Sequence, residues 1–256
     1  MHKFSFKIRL FSLSAILACS VFLISSCGKN YKNSGPVVEK AVKAASDGNW
    51  RMALSYSEIA MKTDPSDINA KIVYALSLEN TGKKTEAIKE LRTLVSQNPK
   101  EFIPQLLLGK LLYDNNEFES AYENLTNAYN LNSQNVEALQ LLSQCAMKLQ
   151  TESVPQLLNK LSETPQYKDS PIIFNDIGVY YVAKKKYSEA ASNLIKAYQS
   201  APDNPAILLN MGILCDKYLN SSAKSKFFYR KFISITNDNP SYSTQKEEVI
   251  SRLKQI

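Results

Sequence analysis

Few residues in this chain can do covalent or metal chemistry. The single histidine is His2, and the four cysteines are Cys19, Cys27, Cys145 and Cys215. With its one imidazole at the second position, the body of the chain has no Ser-His or Cys-His pair and no histidine metal ligand. Cys145 and Cys215 lie 70 positions apart in apolar stretches without a nearby base, so they read as small buried residues and not as nucleophiles. None of the seven glycines is spaced as GxxxxGK or GxGxxG, so no loop is suited to cradling a phosphate. No pair of carboxylates is singled out by spacing. The expectation is a protein without catalytic residues, cofactor or metal.

Cys27 is the cysteine with a context. Residues 1–26 hold Lys3, Lys7 and Arg9 and no acid, followed by an apolar run from Leu10 to Ile24 that is short for a membrane span. This is the layout of a secretory signal, and it ends in Ile24-Ser25-Ser26-Cys27-Gly28. That ending resembles the lipobox of bacterial lipoproteins. The resemblance implies cleavage before Cys27, a diacylglycerol on its thiol, and attachment of the chain to a membrane in the cell envelope. A signal cleaved elsewhere with a free Cys27, or an uncleaved anchor, are the alternatives. Residues 27–36 are polar and unpatterned and read as a tether of at most about 30 Å beyond the lipid. Gly28, where an aspartate would signal retention in enterobacterial lipoproteins, implies the outer membrane facing the periplasm.

The rest is periodic. Around Ala75, Gly82, Ala87 and Pro99, a step of 34 residues back finds Ala41, Gly48, Ala53 and Pro65, and a step forward finds Gly109 and Ala121. Within each period, apolar residues recur at helical spacing in two stretches joined by a short turn. This register resembles the tetratricopeptide repeat (TPR) family. The resemblance implies an all-α right-handed superhelical solenoid of about six helix–turn–helix repeats. They fall at 34–67, 68–101, 102–135, 136–170, 171–204 and 205–240, closed by a capping helix over 241–256. Asp67 is expected to cap a helix N-terminus, and Asn116 to take the positive-φ turn position of Gly82. Trp50, Phe118 and Tyr187 occupy one repeat position and are expected to wedge the turns. The fourth repeat is degenerate: Pro155 stands where Ala87 and Ala121 stand, so its second helix must start near Ser153, with the proline in its first turn. Residues 164–171 form the longest break, with a one-residue register slip, and are expected to act as a joint. Lys184-Lys185-Lys186 read as a solvated turn. Thr244 and Glu247 have capping-box spacing, ahead of a stripe of Val249, Ile250, Leu253 and Ile256.

In the TPR family the first helices line a groove that takes a protein partner or extended peptide. The corresponding positions here are Ile72, Leu76, Glu79 and Asn80 in the second repeat, and Lys110, Tyr113 and Asp114 in the third. The fourth supplies Gln140, Gln144 and Lys148, the fifth Asn175 and Val179, and the sixth Asp216 and Lys217, with Asn210 one position further into its repeat than Asn175. Asn175 and Asn210 resemble asparagines that hold peptide backbone in some such stacks. The ninth positions of the first two repeats are Val42 and Leu76, which does not support the basic clamp that grips acidic C-termini.

The net charge of +7 falls to +4 once the three N-terminal cations are set aside, too little to point to nucleic acid. A helical-repeat nucleic-acid binder is therefore the weaker reading. The stronger is a lipid-anchored periplasmic scaffold that assists an outer-membrane assembly; in size and layout the chain looks similar to type IV pilus pilotin lipoproteins. Labelled palmitate should enter the chain in a lipoprotein-processing host and be lost in Cys27→Ala; equal labelling of both would remove the lipobox.

Overall fold

The computed structural model describes residues 35–256. Cys27, the signal and all but the end of the tether lie outside the described residues. Among those described there are thirteen α-helices, one short 3-10 turn and no strand. They form two compact units, 35–149 and Gln150–Ile256.

The first unit holds α1 (Pro36–Ser46), α2 (Trp50–Thr63), α3 (Ile68–Asn80), α4 (Lys84–Gln97), α5 (Phe102–Asp114), α6 (Phe118–Leu131) and α7 (Val136–Leu149). Each helix packs on the next, and α1 also touches α3, as α5 touches α7. The second helix of each repeat is amphipathic and buries one stripe at i, i+4 and i+7: Ala53, Ser57 and Ala60; Ala87, Leu91 and Leu94; Ala121, Leu125 and Ala128. The first helices lie between neighbours and bury residues nearly all round, eight of thirteen in α5.

The repeat register is visible in the turns. Asn49, Lys83 and Glu117 donate backbone N–H bonds of 2.8, 2.8 and 2.9 Å to the carbonyls of Ala44, Leu78 and Leu112, five residues back. Each turn needs one residue with positive φ, supplied by Gly48 (74°), Gly82 (85°) and, as expected, Asn116 (62°). Asp67 accepts from Ala70 N–H at 3.0 Å, the cap expected there. Phe118 meets Tyr113 edge to face, with ring centroids 5.4 Å apart, in its turn.

The second unit holds α8 (Val154–Ser162), α9 (Pro171–Ala183), α10 (Tyr187–Ser200), α11 (Pro205–Lys217), α12 (Ser222–Ile235) and α13 (Ser243–Leu253). Pro155 sits in the first turn of the short α8. The division between units falls at Leu149/Gln150, not at 164–171. The latter stretch is three hydrogen-bonded turns, closed by Thr164 N–H to Leu161, Tyr167 N–H to Thr164 and Ser170 N–H to Tyr167. Both places hold one left-handed residue, Gln150 with φ of 53° and Asp169 with φ of 55°.

Three further expectations are corrected. Thr244 and Glu247 form no capping box, because α13 already begins at Ser243 and carries no side-chain cap; Asn239 caps the preceding 3-10 turn instead. In the terminal stripe Val249 is buried and Leu253 and Ile256 pack on the core, but Ile250 is exposed. The Lys184–Lys186 turn is not simply solvated: Lys184 Nζ lies 2.7 Å from Glu152 Oε1 and 5.5 Å from the Tyr180 ring centre.

Close approach of paired helices sets the core. A Cβ on Gly109 would come within 2.6 Å of Leu125 Cγ, on Gly178 within 2.6 Å of Leu194 Cγ, and on Gly212 within 2.4 Å of Tyr229 Cε1. At Gly82 the added atom would meet nothing, and only the positive φ opposes it. Gly212→Ala should therefore lower the urea-unfolding free energy by about 1–3 kcal/mol through overpacking, and Gly82→Ala by about 1 kcal/mol through backbone strain. Equal stability of Gly212→Ala and the parent would contradict the packing account.

Candidate functional site

The predicted groove residues behave differently in the two units. In 35–149 the first helices α3, α5 and α7 bring four half-buried side chains toward one face: Glu79, Lys110, Tyr113 and Gln144. Burial pushes the Glu79 carboxyl up; Lys110 pulls it down and Asp114 pushes it up again, so the three charges sense one another. Glu79 Oε2 is buried without a hydrogen-bond partner. Glu137 on α7 is likewise half-buried and raised by burial, with Lys110 again opposing. Lys110 thus stands between two carboxylates from neighbouring first helices, and among the described residues it is within ion-pair distance of neither. Asn80, Asp114 and Lys148 are exposed. Asn80 spends its amide on Leu76 O at 2.8 Å, and Lys148 Nζ lies 6.0 Å from the Phe118 ring centre.

Three predicted residues of this unit do not reach the surface. Ile72, Leu76 and Gln140 are buried between helices: the fifth repeat positions turn inward, and of the ninth positions Leu76 is enclosed while Lys110 and Gln144 stay half-buried. Glu137 was missed by sequence reasoning. Its signal was available: it holds the second position of its repeat, which the family pattern also assigns to the groove.

In Gln150–Ile256 most candidate residues are internal. Asn175 and Asn210 are 1% and 0% exposed. Asn210 Nδ2 donates to Asn175 Oδ1 at 2.8 Å, and Asn175 Nδ2 donates to Asp176 Oδ1 at 3.3 Å, so these amides bond side chains within the unit. Val179 is buried. Asp216, 5% exposed at its side chain, accepts two bonds of 2.8 Å from Arg252 of α13 and one of 3.3 Å from the Tyr229 hydroxyl. A fork of this kind is a strong, directional contact, and here it fastens the terminal helix. Lys217 is half-buried, and burial lowers its pKa. The free thiols of Cys145 and Cys215 are buried; burial pushes Cys145 up to about 12 and raises Cys215 too. At such values neither is a thiolate near neutrality.

Among the described residues no cluster of three His, Cys, Asp or Glu could hold a metal ion, and no helix is long and apolar enough to cross a membrane.

Asp176 makes a pH prediction. Burial raises its carboxyl to about 7, against the weaker opposing bond from Asn175. An unfolded aspartate ionises near pH 4, so between about pH 4 and 7 the unfolded chain releases a proton that the folded chain keeps. The stabilisation is full at the acid end of that window and is lost as pH rises through it, by an amount on the order of 4 kcal/mol. Asp176→Asn should flatten the urea-unfolding free energy across this window and stabilise the chain above it. An unchanged pH profile would refute the assignment.

No protein-family model matches the chain. A stretch of 110 residues, 41% of this chain, is 28% identical to part of the RNA-directed RNA polymerase L of Crimean-Congo hemorrhagic fever virus. The chain spans only 3% of that protein's length. Solved structures are more informative. The C-terminal part of a TPR repeat-containing protein from Cytophaga hutchinsonii aligns with a TM-score of 0.64 at 16% identity, over 84% of each chain. YrrB, described as a TPR protein with an unusual peptide-binding site, aligns at 0.60 with 19% identity, over 73% of this chain and 95% of its own. PilF of Pseudomonas aeruginosa aligns at 0.55 with 16% identity, over 83% of this chain and 96% of its own. At these identities the likeness establishes the fold, and the fold of this chain is that of the tetratricopeptide helix–turn–helix repeat.

Proposed function

We propose that the chain is an envelope scaffold, held to a membrane through a lipid on Cys27, that binds an extended peptide or a partner helix across the first-helix face of residues 35–149. One observation carries this reading: Glu79, Lys110 and Glu137 are half-buried on three successive first helices, and Lys110 is satisfied by neither carboxylate among the described residues. Partly desolvated charges without a close partner are costly in the free protein and gain most when a ligand supplies the missing bonds. Tyr113 and Gln144 beside them add an aromatic face and an amide, the mixture that suits main chain and side chains together. The tetratricopeptide fold and the peptide-binding description of YrrB support a binding role over a catalytic one. The periplasmic side of the outer membrane, and help in assembling a complex there, are the setting we propose from the lipobox and Gly28. A pilotin role for type IV pilus secretins is the narrower form of the same proposal. Among the alternatives, nucleic-acid binding is disfavoured by the near balance of acids and bases on this face.

A photo-crosslinker placed at Tyr113 or Gln144 should give the same partner adduct in intact cells. Lys110→Glu should abolish the adduct, and a crosslinker at Ile59, exposed on the second helix α2, should not form it. Equal adducts from all three positions would reject the groove.

A further inference from the structure

The second unit presents a basic and aromatic helix face. Helix α12, Ser222–Ile235, carries Lys224, Lys226, Arg230 and Lys231 and no acid. Phe227 is 54% exposed, more than any other large apolar side chain among the described residues. At about 100° per residue, the exposed Ala223, Lys224, Arg230 and Ser234 all fall within about 60° of Phe227 on the helix. Lys231 is compensated by Asp203 at 3.0 Å, whereas Lys224, Lys226 and Arg230 enter no ion pair among the described residues. The phenyl ring is also held from beneath. Phe227 meets Phe228 edge to face at 5.2 Å, and the buried Phe228 meets Tyr198 of α10 at 5.3 Å.

We propose that this face of α12 docks on an anionic lipid surface, with Phe227 entering the headgroup–acyl boundary and Lys224 and Arg230 meeting phosphates on either side. Charge complementarity selects this occupant. An outward phenyl group flanked by long cationic side chains matches the boundary, where the ring leaves water while the ammonium and guanidinium groups stay among the phosphates. Each basic residue near an anionic leaflet strengthens attachment about five-fold. Two or three such residues and one ring give weak binding alone, the kind that orients a chain already brought to a membrane. The inference rests on the proposed membrane location, but it concerns a surface separate from the groove.

The test uses the full chain carrying Trp50→Phe and Phe227→Trp, so that the one indole reports the α12 face however the N-terminus attaches. Circular dichroism confirms the helical fold before measurement. On vesicles of phosphatidylcholine mixed with phosphatidylglycerol, indole emission should shift to the blue and be quenched by brominated acyl chains. On pure phosphatidylcholine it should remain that of an indole in water. Lys224→Gln and Arg230→Gln should each raise the phosphatidylglycerol content needed for half-quenching, corresponding to about five-fold weaker contact, and added salt should do the same. An indole that stays in water on both vesicles overturns the proposal, and so does equal quenching on both. Because no groove partner is present, neither result bears on the crosslinking at Tyr113.

Discussion

The fold depends on how closely the second helix of each repeat can approach the first. At one position per repeat the first helix has almost no side chain: Ala41, Ala75, Gly109, Ser143, Gly178 and Gly212, the alanines and the serine at most 1% exposed. Against the glycines lie Leu125, Leu194 and Tyr229, near enough that one added carbon would collide. Contacts between interdigitating atoms are individually weak, so stability comes from repeating a dense contact many times. Ser143 shows how a polar atom is accommodated there: its hydroxyl donates to Leu139 O at 2.6 Å, inside its own helix, and leaves nothing unpaired in the seam.

That closeness also decides where polar groups go. Because first helices touch one another as well as their partners, side chains that a more open stack would offer to a ligand are enclosed. In the second unit the enclosed groups bond one another. Asn210, Asn175 and Asp176 form a buried chain, and Asp216 is taken by Arg252. A buried ion pair of this geometry adds little net stability over an apolar contact, but breaking it leaves an uncompensated charge, so it specifies where α13 must sit. In the first unit Glu79, Lys110 and Glu137 stay half-buried, and Lys110 acts on both carboxyls without pairing closely with either. The two units share a repeat but differ in their polar groups: one leaves charges half-buried on its first helices, and the other bonds its polar groups internally.

The departures from the ideal repeat are equally physical. Lys185 adopts φ of 60° where Gly82 would be at ease, at a backbone cost of about 1–2 kcal/mol, and the Lys186 N–H still closes the turn on Tyr181 O at 2.8 Å. The sixth repeat, one residue short, closes its turn differently, with Ser221 N–H reaching Cys215 O at 2.8 Å and Asn220 at φ of 47°. Tyr187 stacks on Tyr218 with centroids 4.9 Å apart, so the aromatic at this repeat position serves as packing.

By itself the sequence determined the helix count, the turns and the seam, because those depend on local rules. The period of 34 is legible from like residues recurring along the chain, and the left-handed turn at Gly82 and Asn116 from the residue types within a repeat. Pro155 likewise announced a short α8 from its missing N–H alone. The tertiary structure decided what local rules leave open. Ile72, Leu76 and Asn175 occupy positions that a family pattern assigns to a groove, yet they and the adjacent candidate Asn210 are enclosed, since burial depends on how tightly neighbouring repeats close. The break between units fell after Leu149, and not in the Pro-bracketed stretch that three successive hydrogen bonds hold shut. Asp216 looked like a ligand contact until α13 brought Arg252 to it across 36 residues. Charge and polarity can be read from a sequence, but whether a polar group faces a partner or its own fold depends on distances between segments that the sequence does not contain.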